Sequence, residues 1–177
     1  MRFTSGRCSV LGAVMLAIAV WVGAVPTARA LDWPEWLGAE RDGVWRETGL
    51  VDKFPPGGPN ALWRVPIGAG YSGPAVADGR VYVMDRQRAL DADRKPKRAT
   101  RAGVPGSERV LCLDAESGKL LWKDEYDRPY KISYGSGPRT TPLVRAGRVY
   151  TLGAMGDLRC LDAVIGKLVW ARNLAKD

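Results

Sequence analysis

The sequence predicts an all-β fold of repeated four-stranded units, the arrangement found in propeller blades. Three observations predict it. The run Cys112-Leu113-Asp114-Ala115-Glu116-Ser117-Gly118-Lys119-Leu120-Leu121-Trp122 is matched without a gap, 48 residues later, by Cys160-Leu161-Asp162-Ala163-Val164-Ile165-Gly166-Lys167-Leu168-Val169-Trp170. A second match lies upstream, with residues 74–82 answering 142–150 at a spacing of 68. Finally, 21 glycines and 12 prolines punctuate short apolar runs, which favours strands and turns over long helices.

The elements follow from the second, uninterrupted copy. Residues 142–145 form a first strand, Ala146-Gly147 a tight turn and 148–152 a second strand. A turn at 153–156 leads to a third strand at 157–161, a turn at 162–166 and a fourth strand at 167–172. In the first copy Asp78-Gly79 holds the hairpin position, where both residues must tolerate positive φ. At Asp114 and Gly118 an aspartate can accept from the turn's own amides while glycine takes the left-handed position. The two spacings differ by 20 residues, and the segment 86–109 supplies the difference. The chain therefore reads as one blade at 73–124 carrying a basic insertion, a second blade at 141–173 and an isolated strand at 61–65.

Ahead of these lies a segment with the marks of a removable export signal, residues 1–30. Arg2 and Arg7 precede an apolar run at 10–25, and Ala28-Arg29-Ala30 offers an A-x-A cleavage site. Export to the periplasm or beyond the cell is the expectation, with an uncleaved membrane anchor as the alternative. Of the formal charge of +8, three positives belong to this leader, and the segment 86–109 carries the whole remaining surplus. That concentration excludes a uniformly basic nucleic-acid groove. The segment, with Lys95-Pro96-Lys97-Arg98 at its centre, is expected to be a mobile surface loop; its functional reading is contact with anionic lipid or acidic polymer.

The chain has no histidine, which excludes a Ser-His-Asp triad, a histidine zinc site and histidine-ligated haem. No catalytic residue and no metal ligand is singled out. Cys112 and Cys160 occupy equivalent repeat positions and are expected as small buried residues, although an oxidising compartment permits a bridge. Trp122, Trp170 and Trp63 are assigned to blade packing, and Trp33 and Trp36 to anchoring the N-terminal segment against a blade. Stacking of a carbohydrate on the tryptophans is a third functional idea.

The run ending in Trp122 resembles the tryptophan-docking motif of quinoprotein-type β-propellers, A-x-D-x-x-T-G-x-x-x-W. Asp114, Gly118 and Trp122 fill its Asp, Gly and Trp positions; Ser117 replaces the Thr and Cys112 the Ala. Asp162, Gly166 and Trp170 repeat the pattern, with Ile165 in the Thr position weakening that turn's side-chain hydrogen bonding. Asp32-Trp33-Pro34-Glu35-Trp36-Leu37-Gly38, Gly70-Tyr71-Ser72-Gly73-Pro74 and Tyr134-Gly135-Ser136-Gly137-Pro138-Arg139 are also similar to exported PQQ-like β-propeller repeat proteins of bacteria. The resemblance implies a ring of seven or eight blades, of which this chain supplies about two plus the closing strand 61–65. It implies that the six motif residues are structural; so few blades lead to the expectation that the chain is an N-terminal fragment, with assembly of several copies as the alternative.

Two functions follow from the resemblance. One is a non-catalytic binding or scaffold module of the cell envelope, without cofactor, whose partners are envelope proteins or the missing blades. The other is part of a PQQ-dependent alcohol or sugar dehydrogenase holding its quinone with calcium. Against the second, no adjacent cysteine pair and no calcium-binding carboxylate run is present. Since blades of this fold begin near the central channel, Tyr71, Ser72, Tyr134, Arg139 and Thr140 are the candidate channel-face ligand residues. Turn chemistry alone also accounts for them.

Overall fold

The computed structural model describes residues 30–49, 51–133 and 135–177; the expected leader, apart from Ala30, lies outside them. They form two antiparallel four-stranded sheets and, among the described residues, no helix. The first sheet is β1 (Ala75–Ala77), β2 (Arg80–Arg88), β3 (Gly106–Asp114) and β4 (Leu120–Asp127); the second is β5 (Leu143–Arg145), β6 (Arg148–Leu152), β7 (Asp157–Asp162) and β8 (Leu168–Asn173). Strand order equals chain order in both, so each sheet is a blade-like meander.

The repeat extends to the register. Ala75, Tyr82, Cys112 and Trp122 lie in one cross-strand row, and Leu143, Tyr150, Cys160 and Trp170 in its counterpart. The small cysteine between two large rings has a steric reason. It lets Tyr82 and Trp122 tilt together at 5.9 Å, and Tyr150 and Trp170 at 6.2 Å. Both cysteines are free and buried, and burial raises the Cys112 thiol to about 11, so it stays protonated as a packing group. The register also slips at the same place in each blade, between Cys112 and Leu113 and between Cys160 and Leu161.

Period-two alternation gives each sheet two apolar faces. From the first blade, Tyr82, Met84, Val110, Cys112 and Trp122 pack on Val149, Leu161 and Ala163 of the second. The opposite face of the first blade, Val83, Leu111 and Leu113, is covered by Trp63 and Val65. Residues 61–65 do this without strand pairing, contrary to the expected isolated strand; a ladder needs a neighbouring edge, and the described residues place none beside them.

The insertion also departs from expectation. The ladder between β2 and β3 continues through Asp85↔Arg109, Arg86↔Glu108 and Gln87↔Ser107, leaving only 89–105 outside the strands. That remainder is not an unstructured loop. Leu90 bridges Pro96, Thr100 bridges Gly103 and Val104 bridges Tyr130. The Asp85–Arg109 ion pair sits in this extended part of the ladder, while Arg86 and Glu108, opposite each other, take other partners.

The N-terminal segment crosses both blades. The Trp33 amide donates to Val76 O at 2.8 Å and Val76 N donates back at 2.9 Å, while Val144 N donates to Pro34 O at 2.8 Å. Trp33 thus anchors the segment and stacks on Trp45 at 5.3 Å. Trp36, expected to share that role, is 68% exposed. The Trp33 carbonyl and amide, rather than apolar burial of both rings, hold the segment in place.

Candidate functional site

The residues expected at the channel face come from the two segments that lead into β1 and β5. The structure brings Tyr71, Ser72, Arg139 and Thr140 together; Tyr134 lies outside the described residues. Their polar atoms turn towards main chain. Tyr71 N donates to Pro138 O at 2.8 Å, Ser72 Oγ to Thr140 O at 2.8 Å and Thr140 Oγ1 to Leu152 O at 2.6 Å. Arg139 donates from Nη1 to Gly137 O at 2.9 Å and from Nη2 to Gly135 O at 2.6 Å, with its guanidinium 5.1 Å from the Tyr71 ring centre. The Tyr71 and Ser72 bonds and the Arg139–Tyr71 stack link the entry of one blade to the entry of the next.

Gly118, Trp122 and Gly166 sit at the joints between layers, while Asp114 and Asp162 shape their own turns. Trp63 Nε1 donates to Ala115 O at 2.9 Å, and Trp122 Nε1 to Ala163 O at 3.1 Å, the equivalent carbonyl one repeat on. Each indole lies flat on a turn glycine. A Cβ on Gly118 would meet Trp63 at 2.7 Å and one on Gly166 would meet Trp122 at 2.5 Å, and both glycines have φ of +70°. Two independent constraints therefore demand glycine there. The Asp114 carboxylate accepts from Ser117 N at 2.8 Å and Ser117 Oγ at 2.6 Å, which holds it below the ordinary carboxylate range. Asp162, facing Ile165 instead of a hydroxyl, accepts from Val164 N and Ile165 N, and its other oxygen takes Arg148 Nη1 at 2.6 Å. The amide bonds come first in lowering its carboxyl, and Arg148 adds to them. Trp170 finds no glycine turn among the described residues and is 40% exposed, against 8% for Trp122.

Sequence reasoning missed a buried polar seam between the blades. Glu108 has no solvent exposure, and its carboxylate accepts from Tyr126 Oη at 2.7 Å, Tyr130 Oη at 2.8 Å and, across the interface, Ala154 N at 3.1 Å. Burial and the adjacent Glu108 charge push both tyrosine hydroxyls well above their usual range, so they stay donors. Arg159 of the second blade makes a two-pronged pair with Asp124 of the first at 2.8 and 2.9 Å and lies 4.5 Å from the Tyr126 ring centre. Arg128 pairs with Asp157 across the same joint. Within the first blade, Asp85 accepts from Arg109 Nε at 2.8 Å. Burial works to raise its carboxyl, but Arg109 and the Gly68 amide hold it below the ordinary value.

Among the described residues, no three His, Cys, Asp or Glu side chains are grouped to hold a metal ion. At the blade entries Ser72, Thr140 and Arg139 direct side-chain donors at main-chain carbonyls. A separate cleft of about 570 Å³ lies on the N-terminal segment, between Asp32, Trp33, Val44, Trp45 and Asp78.

A family model described as outer membrane protein assembly factor BamB matches residues 47–177. The outer membrane protein assembly factor BamB of Salmonella typhimurium is 31% identical over 91 residues, covering 49% of this chain and 23% of that protein. The serine/threonine-protein kinase AfsK of Streptomyces griseus is 26% identical over 159 residues, covering 76% of this chain and 18% of the kinase. Among solved structures, the quinohemoprotein alcohol dehydrogenase ADHIIG of Pseudomonas putida aligns with a TM-score of 0.39 and 22% identity, covering 65% of this chain and 14% of its own. The chain spans less than a quarter of the length of these curated relatives.

Proposed function

The chain belongs to the family described as outer membrane protein assembly factor BamB, and from that premise we propose that it supplies blades to an exported, non-catalytic β-propeller that acts as a binding or scaffold module in the cell envelope. One observation carries the reading: the segments that lead into the two blades are bonded to each other. Ser72 Oγ donates to Thr140 O, Tyr71 N donates to Pro138 O, and the Arg139 guanidinium lies over the Tyr71 ring. A rigid array of this kind presents loops in fixed positions, which suits partner recognition. Its partners are then envelope proteins of the assembly machinery and further blades of the same ring.

The same repeat on a kinase shows that the fold alone does not carry a function. The test therefore uses the whole natural protein, from which envelope neighbours are recovered by crosslinking in the source cell. Recovery of outer-membrane assembly components supports the scaffold. The protein is also loaded with PQQ and calcium and assayed for dye-linked oxidation of alcohols and sugars. Activity there sinks the non-catalytic reading and makes these blades part of a dehydrogenase whose quinone is held by residues elsewhere.

A further inference from the structure

The excursion at 89–105 is attached to the first blade and has no counterpart in the second, where β6 and β7 are joined by a short turn. It is ordered from its root. The guanidinium of Arg86, only 2% exposed, lies 4.2 Å from the Tyr130 ring centre and donates from Nη2 to Val104 O at 2.7 Å. Val104 and Tyr130 exchange backbone hydrogen bonds at 3.2 Å, and Ala89 N donates to Pro105 O at 3.0 Å. Further out, Lys97 N donates to Ala89 O at 2.8 Å and Asp91 N to Lys95 O at 2.9 Å. The buried arginine thus serves as a post that fixes the base of the excursion.

The surface held out by this base is strongly cationic. Arg88, Arg94, Lys95, Lys97, Arg98 and Arg101 are all exposed, against Asp91 and Asp93. Asp91 spends one oxygen on the Lys95 amide at 2.9 Å, and Asp93 lies 3.6 Å from Lys95 Nζ. Residues 88–106 contain no aromatic ring, so the excursion has no platform for stacking bases, which disfavours single-stranded nucleic acid. It does contain an exposed leucine, Leu90, among the cations. Cations around one apolar side chain are the arrangement that takes lipid headgroups while inserting a small apolar contact.

We infer that the 89–105 excursion is a preordered docking platform for a bilayer surface carrying anionic phospholipid headgroups. The inference rests on the envelope location in the scaffold reading. It adds an orientation, with the loop end of the first blade turned to the membrane.

Flotation of the full chain with vesicles tests it, using about 30 mol % anionic phospholipid against wholly zwitterionic vesicles. The zwitterionic arm sets the baseline for any insertion of the apolar run at 10–25. The compared variant replaces Arg94, Lys95, Lys97, Arg98 and Arg101 with Gln, all of them exposed and outside the ladder. The inference expects binding to anionic vesicles above baseline, reduced roughly tenfold or more in the variant. It also expects loss of the wild-type excess by about 0.5 M salt, where screening is nearly complete. Equal binding of variant and wild type overturns the inference, as does an excess that ignores salt. Binding to polyglutamate or duplex DNA without vesicle binding also overturns it, assigning the platform to an acidic macromolecule. Any of these outcomes leaves the crosslinking test of the scaffold reading intact, so the two failures are distinguishable.

Discussion

The two blades carry the same motif in the same register, yet they differ in depth and in cover. In the first, β2 and β3 run nine residues each; in the second, β6 has five and β7 six. The extra length of the first is polar and buried, holding Asp85, Arg86 and Glu108, and Glu108 reaches the Ala154 amide of its neighbour. The first blade is also covered on both faces, by Trp63 and Val65 on one side and by the second blade on the other. In the second blade Trp170 is exposed where Trp122 is buried, although Leu168 and Val169 are about as exposed as their equivalents Leu120 and Leu121. The difference teaches that the repeat specifies a surface to be docked, and that the neighbouring layer decides how much stability that surface returns.

Replacing each docking tryptophan breaks the comparison most sharply. Trp122→Ala removes a buried ring and its bond to Ala163 O, and is expected to cost about 3–5 kcal/mol in denaturant unfolding. Trp170→Ala in the same chain is expected to cost less than about 1 kcal/mol, because its ring is largely uncovered. In a longer natural protein with a following blade, the two costs should converge. Next in size is the seam. Glu108→Gln turns an acceptor of three donors into a group with one acceptor oxygen and an NH₂ facing hydroxyls. A loss of about 2 kcal/mol is expected, with faster amide exchange at Ala154 as its local sign.

Acid sharpens the contrast further. Asp85 has a lowered folded carboxyl pKa, so its contribution is fully present above the ordinary unfolded value near 4. It disappears as pH falls through the lower folded value. The aligned position in the second blade is Gly153, so the loss belongs to the first blade alone. Stability followed from pH 6 downward should fall below pH ~4, and Asp85→Asn should flatten that limb. The smallest effect concerns the first hairpin turns. Asp78 and Ala146 hold equivalent positions with φ of 51° and 50°, a conformation that asparagine and aspartate tolerate better than alanine. Ala146→Asn is expected to raise stability by about 0.5 kcal/mol, read as a shift in unfolding midpoint.

Much of this architecture was legible in the residues. Asp114, Gly118 and Trp122 and their counterparts announced a repeated turn, because only glycine satisfies both the positive φ and the flat ring above it. Trp63 was correctly assigned to packing although its motif is incomplete. Ile165, read as weakening its turn, does leave Asp162 without a hydroxyl donor, but Arg148 comes from the neighbouring strand to the spare oxygen. The insertion was read as a loop over its whole length, whereas the β2–β3 ladder continues through Asp85↔Arg109, Arg86↔Glu108 and Gln87↔Ser107. Tyr71, Ser72, Arg139 and Thr140 lie together across the two blades, and Tyr134 lies outside the described residues. Their hydrogen-bond targets were main-chain carbonyls, and no side-chain pattern reports where a carbonyl will point.

The sequence by itself determined the strand meander, the turn chemistry and the docking surfaces, because these depend on local φ preference, period-two alternation and an exact repeat. Only the tertiary structure decided that Glu108 is buried among tyrosines, that Arg86 anchors a cationic excursion and that Trp122 is covered while Trp170 is not. Each of those outcomes depends on which layer lies against a residue, and desolvation by a distant segment leaves no mark on the residue's own neighbourhood in the chain.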